Sequence, residues 1–147
     1  MTSWNKRFIE LTDHIATWSK DRSTKCCSVI VDNDNDIVSI GYNGFPRGVN
    51  DNVESRHERP TKYLYCEHGE RNAIYSAARK GVALKGCILY TRWFPCSDCA
   101  RACIQVGLTE IVCERPKGEA RDLRWKESHE AAEIMLNEAG VKITYLE

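Results

Sequence analysis

The stretch CILYTRWFPCSDCARACIQVG, residues 87–107, contains a strand-to-helix transition with two closely spaced thiols. Its first six residues favour a strand, whereas the following segment has the apolar spacing of a helix that ends at Gly107. Pro95 precedes the Cys-x-x-Cys pair, Cys96 and Cys99, at the point where the strand gives way to the helix. Two thiolates at this spacing can bind one Zn²⁺, and the positive end of the helix favours their ionised form.

The segments around this stretch predict that helices and strands alternate along the chain. The predicted elements are a helix over Trp4–Trp18, strands over Ser28–Val31 and Ile37–Ile40, a helix over 68–80, a strand over 87–92, a helix over 97–106, a strand over 110–114, a helix over 127–139 and a strand over 141–147. Segments 44–62 and 115–126, rich in turn-forming or charged residues, are predicted to be loops. Strands joined by helices pair in parallel, while the first two strands form an antiparallel hairpin. We therefore expect an α/β protein, with a three-layer α/β/α fold and a mixed sheet of about five strands, forming a single domain over residues 1–147.

The overall composition predicts a cytoplasmic protein that acts on a small molecule. The chain has 21 basic and 21 acidic side chains, so it lacks the excess positive charge typical of proteins that bind nucleic acid. No apolar run reaches the length of a membrane-spanning helix, and the N-terminal residues do not resemble an export signal. In a reducing compartment, the eight scattered cysteines are expected to be thiols or metal ligands rather than disulfides.

A second group of polar residues, from Cys66 to Glu70, lies at the start of the preceding predicted helix. Helix starts that follow extended segments meet at one end of an open α/β sheet, so His68, Cys96 and Cys99 would supply three zinc ligands and leave a fourth position for water. Cys66 could instead close the site as a structural fourth ligand, although its position suggests an ordinary thiol at the end of a strand. A redox-active thiol pair is another alternative, but it would not need the second group of residues.

Together the two groups resemble a known signature. The sequence HGE at 68–70, followed by PCSDC at 95–99, is similar to the H-x-E…P-C-x-x-C motif of the zinc-dependent cytidine and deoxycytidylate deaminases. The segments SKDRSTKCCSVIV, GYNGFPRGV, HERPTKY, EHGERNAIYSAARKG and LYTRWFPCSDCARACIQVG also resemble those of deoxycytidylate (dCMP) deaminases, in the same order and over residues 18–113. A single Cys-x-x-Cys pair is common, whereas this ordered set is specific.

This resemblance implies a cytidine-deaminase-like fold and a hydrolase that converts dCMP to dUMP and ammonia, supplying dUMP for dTMP synthesis. It implies one catalytic zinc ion per chain, held by His68, Cys96 and Cys99. An activated water would attack C4 of the cytosine ring, with Glu70 carrying protons between that water, N3 of the base and the departing ammonia.

The resemblance also implies contacts with substrate and effectors. Asn43 would contact the sugar, and Arg47, or another residue of the 44–62 loop, would bind the 5′-phosphate. A homo-oligomer such as a hexamer, regulated by dCTP and dTTP, is expected on the same ground. The alternatives are a deaminase of free cytidine, of dCTP or of a base in nucleic acid, and, in another class, a structural zinc module or inactive regulatory subunit.

Gly69 departs from the family pattern, in which the middle residue of H-x-E is usually alanine. The missing methyl group is expected to lower helix propensity by up to about 1 kcal/mol. It is also expected to leave a roomier pocket, one able to admit a modified cytosine.

Other polar residues are predicted to lie outside the site. Arg71 and His129 are expected on solvated helix faces, since each has charged neighbours. A second metal ion, bound by Cys26 or Cys27 with a loop histidine such as His57, is an alternative that the sequence leaves open.

Overall fold

A mixed sheet with helices on both faces forms the centre of the computed structural model, which describes residues 3–146. The helices are α1 (Trp4–Ala16), α2 (Lys62–Tyr65), α3 (Gly69–Lys80), α4 (Ser97–Gln105), α5 (Ala120–Arg124) and α6 (Lys126–Glu138). The strands are β1 (Cys27–Val31), β2 (Ile37–Tyr42), β3 (Ile88–Thr91), β4 (Glu110–Glu114) and β5 (Lys142–Leu146). The strand order is β2-β1-β3-β4-β5, in which β1 is antiparallel to both neighbours and β3, β4 and β5 are parallel. The predicted α/β class and mixed sheet are confirmed.

Two apolar clusters on opposite faces of the sheet define three layers. Helix α1 packs on one face, where Phe8 and Ile15 belong to the same cluster as Val29 of β1. Helices α3, α4 and α6 pack on the other face, over the fully buried side chains of Ile30 and Leu89. Because side chains alternate along a strand, successive residues of β1 serve the two clusters. This layering places α3 and α4 next to each other on one face.

The close approach of α3 to the sheet depends on Gly41 in β2. A Cβ atom at this position would lie 2.5 Å from the carbonyl oxygen of Gly69 and 2.6 Å from the carbonyl carbon of Asn72. Ser39, on the same face of β2, donates a hydrogen bond of 2.6 Å from its hydroxyl to the carbonyl oxygen of Ala73. These contacts fix the first turns of α3 against the sheet.

The segment 115–126 differs from its prediction as a loop, because it contains α5. The turn before this helix is held by Asp122, whose carboxylate accepts hydrogen bonds from the backbone N–H groups of Lys117 and Gly118 at 2.8 and 2.9 Å. A helix of five residues is too short to produce a clear apolar period in such a charged segment.

The segment around Cys66 also differs from its prediction. Residues Lys62–Tyr65 form the short helix α2 rather than a strand, and Cys66 follows its last turn. The preceding loop, predicted over 44–62, contains a 3-10 turn at Glu54–His57. The last strand is confirmed as far as Leu146, and Glu147 lies outside the described residues. Within residues 3–146, none of the helices has the length and apolar composition needed to cross a membrane.

Candidate metal centre

Two helix starts bring the predicted ligands together. His68 is the N-cap residue of α3 and Cys96 is the N-cap residue of α4, each with an extended backbone. Neither side chain caps its own helix, and the two contact each other across the gap between the helices. Cys99 lies in the first turn of α4 and is fully buried. Both helices therefore direct the positive ends of their dipoles at one point, which stabilises thiolates there.

The ligand atoms have the separations that a tetrahedral zinc site requires. His68 Nδ1 lies 3.4 Å from Cys96 Sγ and 3.5 Å from Cys99 Sγ. Zn–N and Zn–S bonds of about 2.0 and 2.3 Å at a tetrahedral angle place nitrogen and sulfur about 3.5 Å apart. Within residues 3–146, these three residues form the one group of potential ligands whose donor atoms all lie within 4.8 Å of one another. The donor set therefore fits zinc, and Cys66 is not part of it.

The pKa values of the two thiols of the centre are shifted in opposite directions. Hydrogen bonding with Cys99 lowers the pKa of Cys96 to about 4, whereas the same pairing raises the pKa of Cys99 well above its usual value. The contact with Cys96 also raises the pKa of His68. A cation that displaces the proton shared by the two sulfur atoms gains two anionic ligands, so metal binding and thiol ionisation are coupled.

Glu70 lies beside the ligands in the first turn of α3. Its side chain is buried, with Oε2 3.6 Å from Cys99 Sγ. Burial raises the pKa of this carboxyl, because the charged form loses its hydration. No ion pair to Glu70 is present within the described part of the chain. A carboxyl in this position is suited to accept a proton and return it.

Two supporting interactions around the centre were missed by the sequence analysis. Arg71 pairs with Glu67 and lies 3.5 Å from Asp98 of α4, with only 18% of its side chain exposed. Its prediction as a solvated residue is wrong, since it links the two helices and places a positive charge near the thiols. Ser128 of α6 accepts a hydrogen bond of 2.8 Å from the backbone N–H of Ser97. It therefore caps the start of α4, which the side chain of the N-cap residue Cys96 does not do.

A pocket with aromatic walls opens over the centre. His68 and Glu70 line it, together with Trp93 and Trp125 from the loops that follow β3 and α5. The Trp125 ring meets the His68 ring edge-on, at a centroid distance of 6.0 Å. His129 of α6 is half-buried and also lines the pocket, so its prediction as a surface residue is wrong. Sequence reasoning missed this wall because it comes from distant segments.

The two predicted substrate contacts have different surroundings. Asn43 is buried and lines the pocket, where its Oδ1 accepts a hydrogen bond of 2.9 Å from the N–H of Cys26 and its Nδ2 donates one of 2.7 Å to the carbonyl of Thr24. The Oδ1 and Nδ2 atoms can each make one further hydrogen bond, so the side chain is able to contact a sugar. That contact remains a prediction. Arg47 is exposed and lies 3.4 Å from Ser76 of α3, and the structure does not bring it to the pocket.

Gly69 faces the sheet rather than the pocket. A Cβ atom there would lie 3.2 Å from the carbonyl oxygen of Gly41 and 3.3 Å from Cα of Cys27. The expectation of a roomier pocket is therefore wrong, because the missing methyl group lies at the contact between α3 and the sheet.

The alternative second metal site finds no geometric support within residues 3–146. The His57 ring stacks on Phe45 at a centroid distance of 4.8 Å, and its Nε2 lies 2.6 Å from the carbonyl oxygen of Asp51. Neither Cys26 nor Cys27 joins it in a group with the spacing of metal ligands.

A buried ion pair also lines the pocket. Lys62 Nζ lies 3.1 Å from Asp21 Oδ2 and 2.8 Å from Ser23 Oγ, and the two charged side chains are 9% and 7% exposed. Burial alone would raise the pKa of Asp21, but hydrogen bonds from the backbone of Thr24 and Ser23 and from Lys62 outweigh it and lower the pKa to about 2. The pair holds α2 against the loop that leads into β1.

This ion pair predicts a loss of stability in acid. Since the pKa of Asp21 in the folded protein, about 2, lies below its ordinary value of 3.8, the stabilisation by this pair is present above pH 3.8 and is lost as the pH falls towards 2. A shift of this size corresponds to about 2 kcal/mol of unfolding free energy. Urea unfolding of the metal-free protein between pH 5 and pH 2.5 measures this loss of unfolding free energy, with the Asp21→Asn variant as the reference. Equal pH dependence in both proteins would show that the pair contributes nothing.

Comparison with known protein families gives a specific match. A family model for the cytidine and deoxycytidylate deaminase zinc-binding region matches residues 2–115. An uncharacterized deaminase of Aliivibrio fischeri is 38% identical over 146 residues, covering 99% of this chain and 95% of its own. The deoxycytidylate deaminase of Homo sapiens is 35% identical over 143 residues, covering 94% of this chain and 76% of its own.

A solved structure supports the fold. The dCMP deaminase of cyanophage S-TIM5, in complex with dCMP and dUMP, superposes with a TM-score of 0.76 at 21% identity and covers 99% of both chains. At this identity the similarity establishes the shared α/β/α architecture.

Proposed function

Since this chain belongs to the family of cytidine and deoxycytidylate deaminases, we propose that it is a zinc-dependent hydrolase that converts dCMP and water to dUMP and ammonia. One observation carries the proposal: the donor atoms of His68, Cys96 and Cys99 lie together beside the buried carboxyl of Glu70, at a pocket that His68, Glu70 and Cys96 line. A structural zinc site has no use for a buried carboxyl beside three ligands, so the arrangement favours catalysis over the structural alternative.

The zinc ion of this proposal is held by one nitrogen and two sulfur atoms. His68 would bind through Nδ1, which is the ring nitrogen directed at the two sulfur atoms. When bound, zinc supplies the Lewis acidity that makes water nucleophilic near neutral pH. Two thiolates offset the charge of the ion, which weakens that effect and makes a nearby proton acceptor more important.

The proton transfers of the reaction are assigned to Glu70. Its carboxylate takes a proton from the attacking water and delivers it to N3 of the cytosine ring. The same carboxylate then takes the proton of the new hydroxyl group at C4 and gives it to the amino group, so that the C4–N bond breaks, ammonia leaves and the C4 carbonyl of dUMP forms. Because burial raises the pKa of Glu70, the carboxyl holds a proton more readily than an exposed glutamate does.

The pocket walls would orient the base and exclude water. Phe94 is buried and packs edge-on against His129, with ring centroids 5.5 Å apart, while Trp125 borders His68. Aromatic faces of this kind suit a planar ring, and they keep bulk water from the proton transfers. Asn43, which also lines the pocket, is the residue proposed to contact the sugar.

A substrate panel tests the proposal. Ammonia release and the loss of cytosine absorbance would be measured for dCMP, CMP, dCTP, cytidine and a single-stranded oligodeoxynucleotide under identical conditions, with zinc content determined on the same sample. We expect dCMP to have the highest kcat/KM. A protein with one zinc per chain that acts faster on cytidine or on the oligonucleotide would contradict the assignment.

Replacing Cys99 by alanine is expected to lower the bound zinc to less than about one tenth of an ion per chain after dialysis, because two ligands cannot hold the metal tightly. The matched control is Cys103→Ala, one helical turn further along α4, where the thiol is fully buried and burial raises its pKa. This control should keep one zinc per chain in metal analysis. Zinc retained by Cys99→Ala, or lost equally by both variants, would show that the ligand set is wrong.

The family resemblance also supports a cytoplasmic homo-oligomer, with a hexamer as one candidate, whose activity responds to dCTP and dTTP. Light scattering would determine the oligomer size, and dCMP turnover with each triphosphate would reveal the regulation.

A further inference from the structure

Arg121 of α5 carries a buried nitrogen that has no hydrogen-bond partner. Within residues 3–146, only Arg121 Nη1 and Ser28 Oγ are buried side-chain polar atoms without a partner. A buried N–H group that makes no hydrogen bond destabilises the folded protein, and more so when it carries charge. Arg121 lines the pocket over the candidate metal centre, so a ligand in that pocket could supply the missing acceptor.

The Arg121 guanidinium contacts an aromatic ring, and the turn before its helix is fixed by hydrogen bonds. Its Cζ atom lies over the Trp93 ring, 4.0 Å from the centroid, and a guanidinium that contacts a ring in this way can still donate hydrogen bonds through its N–H groups. The neighbouring Asp122 accepts backbone hydrogen bonds from Lys117 and Gly118 and fixes the turn from which α5 begins. The contact with Trp93 positions the side chain, and the fixed turn positions the helix that carries it.

The charges of the pocket favour an anionic acceptor. Lys62 is neutralised by Asp21, and two thiolates would offset a bound zinc ion. The pocket is then left with three arginines against the single carboxyl of Glu70; these arginines are Arg59, Arg121 and Arg124. This excess of two positive charges matches a phosphate monoester, which carries about −1.5 to −2 at pH 7.

We propose that Arg121 binds the phosphate of the nucleotide substrate and makes the enzyme select nucleotides over nucleosides. This inference rests on the proposed deaminase function. It assigns the phosphate to a residue of α5, outside the 44–62 loop in which the sequence analysis placed it. A neutral carbonyl oxygen of the base could accept the same hydrogen bond, but it would leave the excess positive charge of the pocket unbalanced.

The test compares dCMP with deoxycytidine as substrates of the zinc-loaded enzyme. Arg121→Gln should lower kcat/KM for dCMP about 100-fold, since a buried hydrogen bond to a charged group contributes about 1.5–3 kcal/mol. For deoxycytidine, kcat/KM should change less than about threefold. Arg121→Lys should recover part of the preference for dCMP, because lysine restores the positive charge but not the planar, bidentate hydrogen-bonding geometry of the guanidinium. Arg79→Gln, on the exposed end of α3, is the control and should leave both values unchanged.

Equal losses for the two substrates would overturn the proposal and assign Arg121 to the base, the sugar or the fold. An unchanged kcat/KM for dCMP would overturn it as well. Calorimetric binding of dUMP and deoxyuridine separates this inference from the proposed function. If the wild-type protein prefers dUMP and Arg121→Gln does not, phosphate binding by Arg121 stands even where dCMP is not deaminated.

Discussion

Replacing Glu70 by glutamine is expected to lower kcat for dCMP by about 10³- to 10⁴-fold. Glutamine has nearly the same shape but can neither take the proton of water nor return it to N3. The carboxyl lies beside Cys99 and is not one of the three proposed ligands. The variant should therefore keep one zinc per chain and the thermal stability of the parent protein. Turnover, zinc content and thermal unfolding measured on the same preparation test the prediction.

Glu138→Gln is the matched control for this experiment, since Glu138 is exposed at the end of α6. It should leave dCMP turnover unchanged. If Glu70→Gln retained its zinc and more than about one tenth of its activity, another group would have to carry the protons. If the variant lost its zinc, Glu70 would belong to the metal-binding set instead.

Replacing Gly41 by alanine is expected to lower the free energy of unfolding by about 3 kcal/mol or more. The added methyl group would lie 2.5 Å from the carbonyl oxygen of Gly69 and 2.6 Å from the carbonyl carbon of Asn72. Both are backbone atoms, so α3 has to move away from the sheet. Movement of α3 would also displace His68 and Glu70, and we expect zinc affinity to fall together with stability.

Gly44→Ala provides the control, because a Cβ atom there has nothing within 4 Å. Urea unfolding of the two variants and of the parent chain measures the difference. Gly44→Ala should lie within about 0.5 kcal/mol of the parent. A similarly small change for Gly41→Ala would mean that α3 does not depend on this close approach.

The sequence predicts those parts of the site that are encoded locally. Cys96 and Cys99 lie within one helical turn, and His68 and Glu70 lie two residues apart at another helix start. Such spacings can be recognised in the chain itself. The alternation of strands and helices is sufficient to place the starts of the two helices at the same end of the sheet. The distances from His68 to the two sulfur atoms agree with that expectation.

The remaining parts of the site depend on contacts between distant segments. Arg121 lies in a short charged segment that reads as a loop, and its burial follows from stacking on Trp93, 28 positions earlier in the chain. Arg71 has the composition of a solvated helix residue, yet it pairs across two helices. Gly69 could be identified as unusual, but the direction of its missing methyl group is set by the packing of α3 on β1 and β2. None of these features has a local periodic signal.

The deamination of dCMP should require one zinc ion, held by His68, Cys96 and Cys99. Titration of zinc into the metal-free protein, with dUMP formation measured at each step, examines this requirement. We expect activity to rise in proportion to bound zinc and to reach its maximum at one ion per chain. Deamination at full rate without zinc, or a protein that binds one zinc ion per chain and leaves dCMP unchanged, would contradict it.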